Sequence, residues 1–177
     1  MSMNRSILDA LQAVRDKMIS AALYRLLKPL KQRYRSCMHS TAGLVISGTT
    51  TKVKTGAAIA HYQAGGKNGQ IAAATDMPVL VGTVTADLFN IYVFTIDSAG
   101  TTYTQMGTEA ATEAAVKWPA LNQDRAIIGY LKVNPTGTGN FVGGTSALDS
   151  ATIFTAPTTD MLYVSPVGMF DPTAVID

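Results

Sequence analysis

Hydrophobic residues recur with two different periods along the chain. Over residues 5–35 the apolar positions are three or four residues apart, which places them on one face of an α-helix. After residue 43 they occur instead in short runs separated by Gly, Pro and Asn, as is typical of β-strands joined by turns. The pattern predicts a mainly β protein, with an N-terminal α-helix followed by an antiparallel β-sandwich or jelly-roll-like body.

The predicted helix carries a wide apolar stripe. Ser6 followed by Asp9 is typical of a helix N-terminus. Pro29 removes a helical hydrogen bond, so we expect either a kink there or two helices, roughly 5–27 and 30–36. Steps of four residues dominate the stripe, which argues against a long, regular left-handed coiled coil. We expect the stripe to act in oligomerisation or as an anchor, and its principal members are Ile7, Leu11, Val14, Met18, Leu26 and Leu30.

Two apolar, aromatic-rich runs, residues 88–97 and 125–134, give the strongest β-strand signals. Residues 97–100 predict a hairpin turn into a strand over 101–106, and Pro135 ends the second run because it cannot donate to a sheet. Adjacent strand residues point to opposite faces, so the predicted core can be buried completely only if both faces are covered. That core comprises Phe89, Ile91, Val93, Ile127, Ile128, Tyr130, Leu131 and Val133.

Weaker signals predict the remaining elements of the body. A turn over residues 65–69 contains Asn68-Gly69, a pair favoured in tight hairpins. Residues 108–115 are rich in Ala and Glu, and we expect a loop or a short strand there. The other predicted strands are residues 44–47, 51–54, 57–63, 70–74, 79–85, 153–154 and 162–164.

Charge and composition divide the chain at the same place as the hydrophobic pattern. Residues 1–40 carry eight basic and two acidic side chains, a net +6, and residues 41–177 carry six and ten, a net −4. All fifteen Gly and every Thr follow residue 40. We therefore expect two parts: a basic amphipathic helical segment over 1–40 and a β-rich body over 41–177. Only 15% of the residues are charged, against roughly 25% in typical soluble domains, which favours surfaces buried against partners.

Basic residues cluster at the C-terminal end of the predicted helix, where cations complement the helix dipole. One interpretation is a solvated face, and the other is a contact with an acidic partner surface. Nucleic acid is less favoured, because no recognised binding motif accompanies the cluster. The candidate contact residues are Arg25, Lys28, Lys31, Arg33 and Arg35.

No arrangement of residues in the sequence indicates catalysis or a metal site. Cys37 and His39 form a C-x-H pair, but a structural metal needs more ligands and His61 is the only other histidine. Neither histidine lies in a motif for a Ser/His/Asp triad, and His39 lies next to a predicted linker over 40–43. The carboxylates that could act in glycoside hydrolysis all fall in predicted turns or polar loops: Asp87, Asp97, Glu109, Glu113 and Asp124. We therefore expect a protein that is not an enzyme and needs no cofactor.

The glycines near residue 140 do not form a nucleotide-binding fingerprint. Gly137, Gly139, Gly143 and Gly144 have the wrong spacing, and no helix pattern follows them, so we expect a loop at a sheet end. No apolar run is long enough for a transmembrane helix, and no signal-peptide pattern is present. We expect the protein to be assembled in a cytoplasm and not to associate with a membrane.

Three stretches of the body resemble a β module found in structural proteins of tailed bacteriophages. They read TDMPVLVGTV (residues 75–84), FNIYVFTIDSAG (89–100) and WPALNQDRAIIGYLKVNPTGTGNFVGGTSALD (118–149). Similar proteins are head fibres, capsid decoration proteins and tail-fibre-like proteins, and the resemblance extends over residues 43–155. The basic N-terminal segment lies outside it.

The resemblance implies a structural component of a virion, assembled in the host bacterial cytoplasm. Such a protein would decorate the capsid or form a fibre or collar attachment, with the N-terminal helix anchoring it or joining subunits. The resemblance also implies other virion proteins as partners and a homo-oligomer, with a trimer favoured. The alternative is a receptor-binding module for surface carbohydrate, in which aromatic residues of exposed loops such as Tyr103 or Phe141 would stack on sugars.

Overall fold

The computed structural model describes Lys17 and residues 36–164, and this part of the chain is mainly β with almost no helix. Every strand pairing in it is antiparallel. One turn of 3-10 helix, Glu113–Ala115, and one turn of α-helix, Pro157–Asp160, are the helical elements of residues 36–164. The strands are β1 (Cys37–Met38), β2 (Val45–Ile46), β3 (Val53–Lys54), β4 (Ala60–Ala64), β5 (Lys67–Ile71), β6 (Thr83–Val84), β7 (Asn90–Ile96), β8 (Thr102–Met106), β9 (Ala126–Val133), β10 (Phe141–Val142) and β11 (Met161–Val164).

The central sheet has four strands in the order β11-β9-β7-β8. Its middle strands β7 and β9 are the two long apolar runs, so the strongest sequence prediction is confirmed. The hairpin from β7 into β8 is also confirmed, because the Asp97 carboxylate accepts hydrogen bonds from the N–H groups of Ala99 and Thr101. Between β7 and β9 the register shifts after Phe94, which bends the pair as a β-bulge does.

A second sheet has the order β1-β4-β5 and corrects one turn prediction. The tight turn between β4 and β5 is Gly65-Gly66, and both residues have positive φ angles, +55° and +81°, as a two-residue hairpin turn requires. Asn68-Gly69 lies within β5 instead of forming the turn. Gly69 is opposite Tyr62, and a Cβ atom at Gly69 would lie 2.5 Å from that ring, so this glycine serves close packing.

Two small sheets, β2-β3 and β10-β6, complete the described strands. Of the predicted strand over 79–85 only β6 forms, and the predicted strand over 153–154 is wrong, because residues 151–153 form a turn. β10 belongs to the glycine-rich stretch near residue 140. There a Cβ atom at Gly143 would lie 2.8 Å from the Leu80 backbone, so glycine allows two chain segments to approach closely.

One hydrophobic core is shared by the central and second sheets. From the central sheet, Tyr92, Phe94 and Ile96 project into it, since alternate residues of β7 lie on the same face. The second sheet contributes Ala60 and Tyr62 to the same cluster. Phe141 and Phe154 also belong to this core. Phe141 meets Tyr92 edge to face with centroids 6.2 Å apart and packs at a tilt on Phe154 at 5.7 Å.

A smaller cluster lies on the opposite face of the central sheet. Its buried members are Ile91, Val93 and Ile127. The chain between β8 and β9 covers them with Val116, Trp118 and Leu121, and Tyr130 of β9 packs beside them. Both faces of β7 are therefore covered, and every residue of the strand is buried. Of the predicted core, Phe89 and Tyr130 are half-buried and the other six residues are buried.

The β structure begins before residue 41. Cys37 and Met38 form β1, which pairs with β4, and the His39 N–H donates to the His61 carbonyl at 2.8 Å. These residues belong to a sheet, whereas the sequence placed them in the N-terminal segment. Lys17 is helical and exposed, and the rest of the predicted helix over 5–35 lies outside the described residues.

Candidate functional site

The segment that joins β8 to β9, residues 107–125, covers one face of the central sheet. Two pairs of backbone hydrogen bonds hold its first part, one between Phe89 and Ala110 and one between Thr108 and Lys117. Its second part is held where the side-chain amide of Gln105 donates to the Ala120 carbonyl at 3.1 Å. These bonds place the apolar side chains of the segment on Ile91 and Val93 of β7 and on Ile127 of β9.

An aromatic pair joins this covering segment to β9. The Trp118 and Tyr130 rings meet edge to face, with centroids 5.2 Å apart and planes at 65°. Both side chains are half-buried, so each ring packs on the cluster beneath it and keeps an accessible part. Partly accessible aromatic rings provide a rigid apolar surface at little cost in conformational entropy.

Beside this pair lies a cleft of about 250 Å³. Its apolar lining comes from Phe89, Ile91 and Val116 together with the two rings. At its rim the Lys132 ammonium contacts the Glu113 carboxylate at 2.5 Å, with side chains 35% and 59% exposed. The cleft thus combines an aromatic wall, an apolar floor and one ion pair open to solvent.

The register of the sheet explains how these groups come together. Tyr130 and Lys132 are two residues apart on β9 and therefore share a face, and Lys132 is paired with Ile91 of β7. On the other side Lys132 is paired with Leu162 of β11, which is 45% exposed on the same face. On this face Ile91, Val93 and Ile127 are therefore covered, while Lys132 and Leu162 remain accessible to solvent.

Asn90, at the start of β7, also lines the cleft and has an incomplete set of hydrogen bonds. Its Oδ1 accepts the Ile91 N–H at 2.7 Å, but its buried Nδ2 has no partner among the described residues. A buried donor without a partner typically costs about 1–3 kcal/mol, so this amide group lowers stability beside the cleft.

A second cluster of polar side chains lies at the tip of the β7–β8 hairpin. The Tyr103 hydroxyl donates to the Asp97 carboxylate at 2.8 Å, and the Arg125 guanidinium lies 3.4 Å from the centre of the Tyr103 ring. The Tyr103 hydrogen bond is the main cause that lowers the pKa of Asp97, and the same bond raises the pKa of Tyr103. These contacts connect the hairpin to the segment before β9, and we interpret the cluster as a structural brace.

The structure corrects the expected sugar-stacking residues. Phe141 lies in the main core with no exposed surface, so the prediction that it projects from an exposed loop is wrong. Tyr103 lies in β8 instead of a loop, is only half exposed, and has Arg125 over its ring. The predicted contact and anchor residues lie outside the described residues: Arg25, Lys28, Lys31, Arg33, Arg35, Ile7, Leu11, Val14, Met18, Leu26 and Leu30.

The acidic residues considered for catalysis have different surroundings. Glu109 accepts hydrogen bonds from the N–H and hydroxyl of Thr85, and Glu113 contacts Lys132. Asp97 belongs to the brace, Asp124 precedes Arg125 in the chain, and Asp87 lies in a turn with a φ angle of +62°. Among residues 36–164, no three His, Cys, Asp or Glu side chains are arranged to hold a metal ion.

Sequence reasoning missed the cleft because its parts come from three separate segments. Glu113 was considered only as a loop carboxylate, and Trp118 only as the start of the stretch over residues 118–149. The available signal was the alternation along β9, which puts Tyr130 and Lys132 on one face, together with the single tryptophan of the chain nearby in sequence. The path of residues 107–125 over the sheet has no local signature.

Comparison of the chain with models of protein families, with curated proteins and with solved structures gave no match. In the part of the chain that the structure describes, no helix has the length and hydrophobicity needed to cross a membrane.

Proposed function

We propose that this protein is a structural component of a bacteriophage virion that decorates the capsid or forms a fibre or collar attachment. The observation that carries the proposal is the position of the three phage-like stretches in the fold. They contain β7 with its turn and β9, the two middle strands of the central sheet, and also β6 and β10, which form a separate small sheet. All four strands contribute residues to the main core. The resemblance thus lies in the residues that build the fold.

The division of charge supports a role for the N-terminal segment in attachment. That segment carries +6 over residues 1–40, whereas residues 41–177 carry −4. In this proposal the segment is a helix that binds an acidic surface of another virion protein, through Arg25, Lys28, Lys31, Arg33 and Arg35. Exposed charges of this kind are screened beyond about 8 Å at physiological ionic strength, so the attachment should weaken as salt rises.

Purified particles from an infected culture test the proposal. An antibody against residues 36–164 should find the chain in the particle band of a density gradient, and cryo-EM should show it on the outside of the head or at the collar. Detection of the chain only in the soluble fraction of the lysate would refute the virion role.

Charge reversal tests the attachment separately. Substituting Lys28, Lys31, Arg33 and Arg35 with Glu should release the chain from particles at physiological salt, while the melting temperature of the body stays unchanged. The matched control reverses four basic residues of the body, Lys52, Lys54, Lys67 and Lys117, and should leave attachment intact. Equal loss in both variants, or attachment that is insensitive to salt and to the first four changes, would contradict an electrostatic anchor.

The proposal includes a homo-oligomer, with a trimer favoured, and a sandwich-like body. The shared core of the two larger sheets supports the sandwich, and the low charge of the chain supports buried subunit faces. Light scattering on the full chain and on a chain shortened to begin at Ser36 shows whether the N-terminal segment or the β body holds the oligomer together. A full-length monomer would contradict the oligomer, and trimers of both chains would assign assembly to the β body and leave the N-terminal segment for attachment.

The cleft beside Trp118 favours a second candidate function, recognition of carbohydrate on a cell surface. A virion protein can be both a structural component and a receptor-binding module, so the two proposals are tested independently.

A further inference from the structure

We propose that the cleft beside Trp118 and Tyr130 binds one uncharged sugar ring of a surface glycan. The inference rests on the second candidate function and gives it a site and a ligand class. It assigns the stacking surface to Trp118 and Tyr130, and the polar contacts to Glu113 and Lys132. The virion role does not depend on it.

The lining of the cleft matches the two-sided chemistry of a pyranose. One face of such a ring presents C–H groups, which pack on aromatic rings, and its edge carries hydroxyl groups. Trp118 and Tyr130 provide an aromatic wall with centroids 5.2 Å apart, and Ile91 and Val116 provide the apolar floor. Burial of a C–H face against this wall follows the same physics as other aromatic contacts.

The ion pair at the rim suits hydroxyl groups. The ammonium of Lys132 has three donors and the carboxylate of Glu113 has several acceptor positions, and their mutual contact uses only part of that capacity. Neighbouring hydroxyls of a sugar can accept from one group and donate to the other without separating the pair. The opposite charges cancel at the rim, which favours an uncharged ring over an anionic one.

The size of the cleft limits the ligand. Pockets for drug-sized ligands have volumes of roughly 300–1,000 Å³. A cleft of about 250 Å³ that is open on one side suits a single ring with its chain continuing into solvent, which is how a terminal residue of a glycan would sit. An apolar side chain of a partner protein would also fit by size. It would, however, displace the water that hydrogen-bonds to the ion pair and offer no hydrogen bonds in return.

The single tryptophan of the chain reports directly on this site. The full-length protein is first screened on a glycan array, and the methyl pyranoside of the recognised terminal sugar is then titrated while Trp118 fluorescence is followed. We expect saturable change in emission with a dissociation constant in roughly the millimolar range for one ring. Because the ligand carries no charge, the constant should change less than about twofold up to about 0.5 M NaCl.

Substitutions at the wall and the rim locate the binding. Trp118→Ala should weaken array binding by about tenfold or more, and Trp118→Phe should retain part of it because an aromatic face remains. Glu113→Gln and Lys132→Met should each weaken binding severalfold while lowering the melting temperature by no more than about 4 °C, since both side chains lie at the open rim. Asp149→Asn and Lys67→Met are matched controls, because they make the same charge changes at exposed positions outside the cleft.

Each contrary result overturns the proposal. If no glycan on the array binds reproducibly, the proposed ligand class is wrong. If the Trp118 and rim variants bind as well as the parent chain, the proposed site is wrong. If Trp118→Ala lowers the melting temperature, the two rim variants decide, because they are outside the apolar cluster. Steep weakening by salt would overturn the uncharged ligand. A change of oligomeric state in Trp118→Ala, with no glycan bound, would show that the cleft is a protein interface. None of these results affects the particle-association test of the virion role.

Discussion

The two faces of the central sheet are closed in different ways. On one face Tyr92 and Phe94 lie in the core that the central sheet shares with the second sheet and with Phe141, and all three rings are fully buried. On the other face Ile91 and Val93 lie beneath a connecting segment that is mostly irregular. The first face is sealed over its length, and the second is sealed only in part.

The difference follows from what each cover can hydrogen-bond to. A sheet satisfies its own backbone groups and can therefore cover a whole apolar face. An irregular segment needs partners for its backbone, and residues 107–125 find them at Phe89, at their own bridge between Thr108 and Lys117, and at Gln105. Beyond these points the cover ends, and the cleft with its polar rim begins. A face covered by a loop can thus provide both burial and a site.

The largest effect is expected on the sealed face. Phe141→Ala should lower the free energy of unfolding by about 3–5 kcal/mol, because it removes a fully buried ring from the core. Val142→Ala is the matched control, since Val142 is the neighbour of Phe141 on β10 and its side chain is 40% exposed. This substitution should change stability by less than about 1 kcal/mol. Urea denaturation measures both. Similar small losses would mean that Phe141 projects outward, as the sequence had suggested.

The same substitution on each face compares the two covers directly. Ile128→Ala on the sealed face and Ile91→Ala on the loop-covered face should both destabilise, within the usual range of about 2–5 kcal/mol. We expect the larger loss for Ile128, because a segment beside an open cleft can relax into the space that Ile91 leaves. A larger loss for Ile91 would show that the loop-covered face is packed as rigidly as the other.

The sequence predicted the middle of the fold well because its signals there are local. β7 and β9 are continuous apolar runs, and the Asp97 turn is formed by a side chain bonding to its own neighbouring backbone. The two-residue strands were poorly bounded, since only tertiary contacts define them. The hairpin turn forms at Gly65-Gly66 and not at Asn68-Gly69, because Gly69 is required within β5 beneath the Tyr62 ring.

The candidate sites were harder to predict because they depend on tertiary contacts and not on local sequence signals. Phe141 has glycines near it in sequence, which indicated an exposed loop, but those glycines let the chain approach Leu80 closely while Phe141 enters the core. The cleft depends on the path of residues 107–125 across the sheet, and side-chain periodicity carries no information about that path. The proposed anchor residues, by contrast, stay predictions.

The stability of the protein at alkaline pH should report on the buried hydroxyl of Tyr92, which lies on the sealed face. Burial, with a smaller contribution from Glu109, raises the pKa of Tyr92 from an ordinary 10 to about 12. The folded state therefore keeps a proton that the unfolded state loses between these values. Its stabilising contribution is complete below pH 10 and falls by up to about 1.4 kcal/mol per pH unit as pH rises toward 12.

Tyr92→Phe isolates this contribution. The Tyr92 hydroxyl has no hydrogen-bond partner among the described residues, so the substitution should change stability by less than about 1 kcal/mol at pH 7. Above pH 10 the variant should lose stability less steeply than the parent chain, as measured by urea denaturation at a series of pH values. Parallel pH profiles would mean that water or another group reaches the hydroxyl and that this face is not sealed there.

The smallest effect is expected at the open rim, where the Glu113–Lys132 pair should contribute little to stability. Both side chains retain substantial exposure, and exposed ion pairs typically contribute about 0.2–1 kcal/mol. A double-mutant cycle with Glu113→Gln and Lys132→Met, measured by urea denaturation, gives the coupling directly, and it should shrink further at about 1 M NaCl because exposed charges are screened. A coupling well above about 2 kcal/mol that persists in salt would mean that the pair is desolvated. The cleft would then be covered in solution by another part of the chain or a second copy, and the contrast between a sealed and an open face would no longer hold.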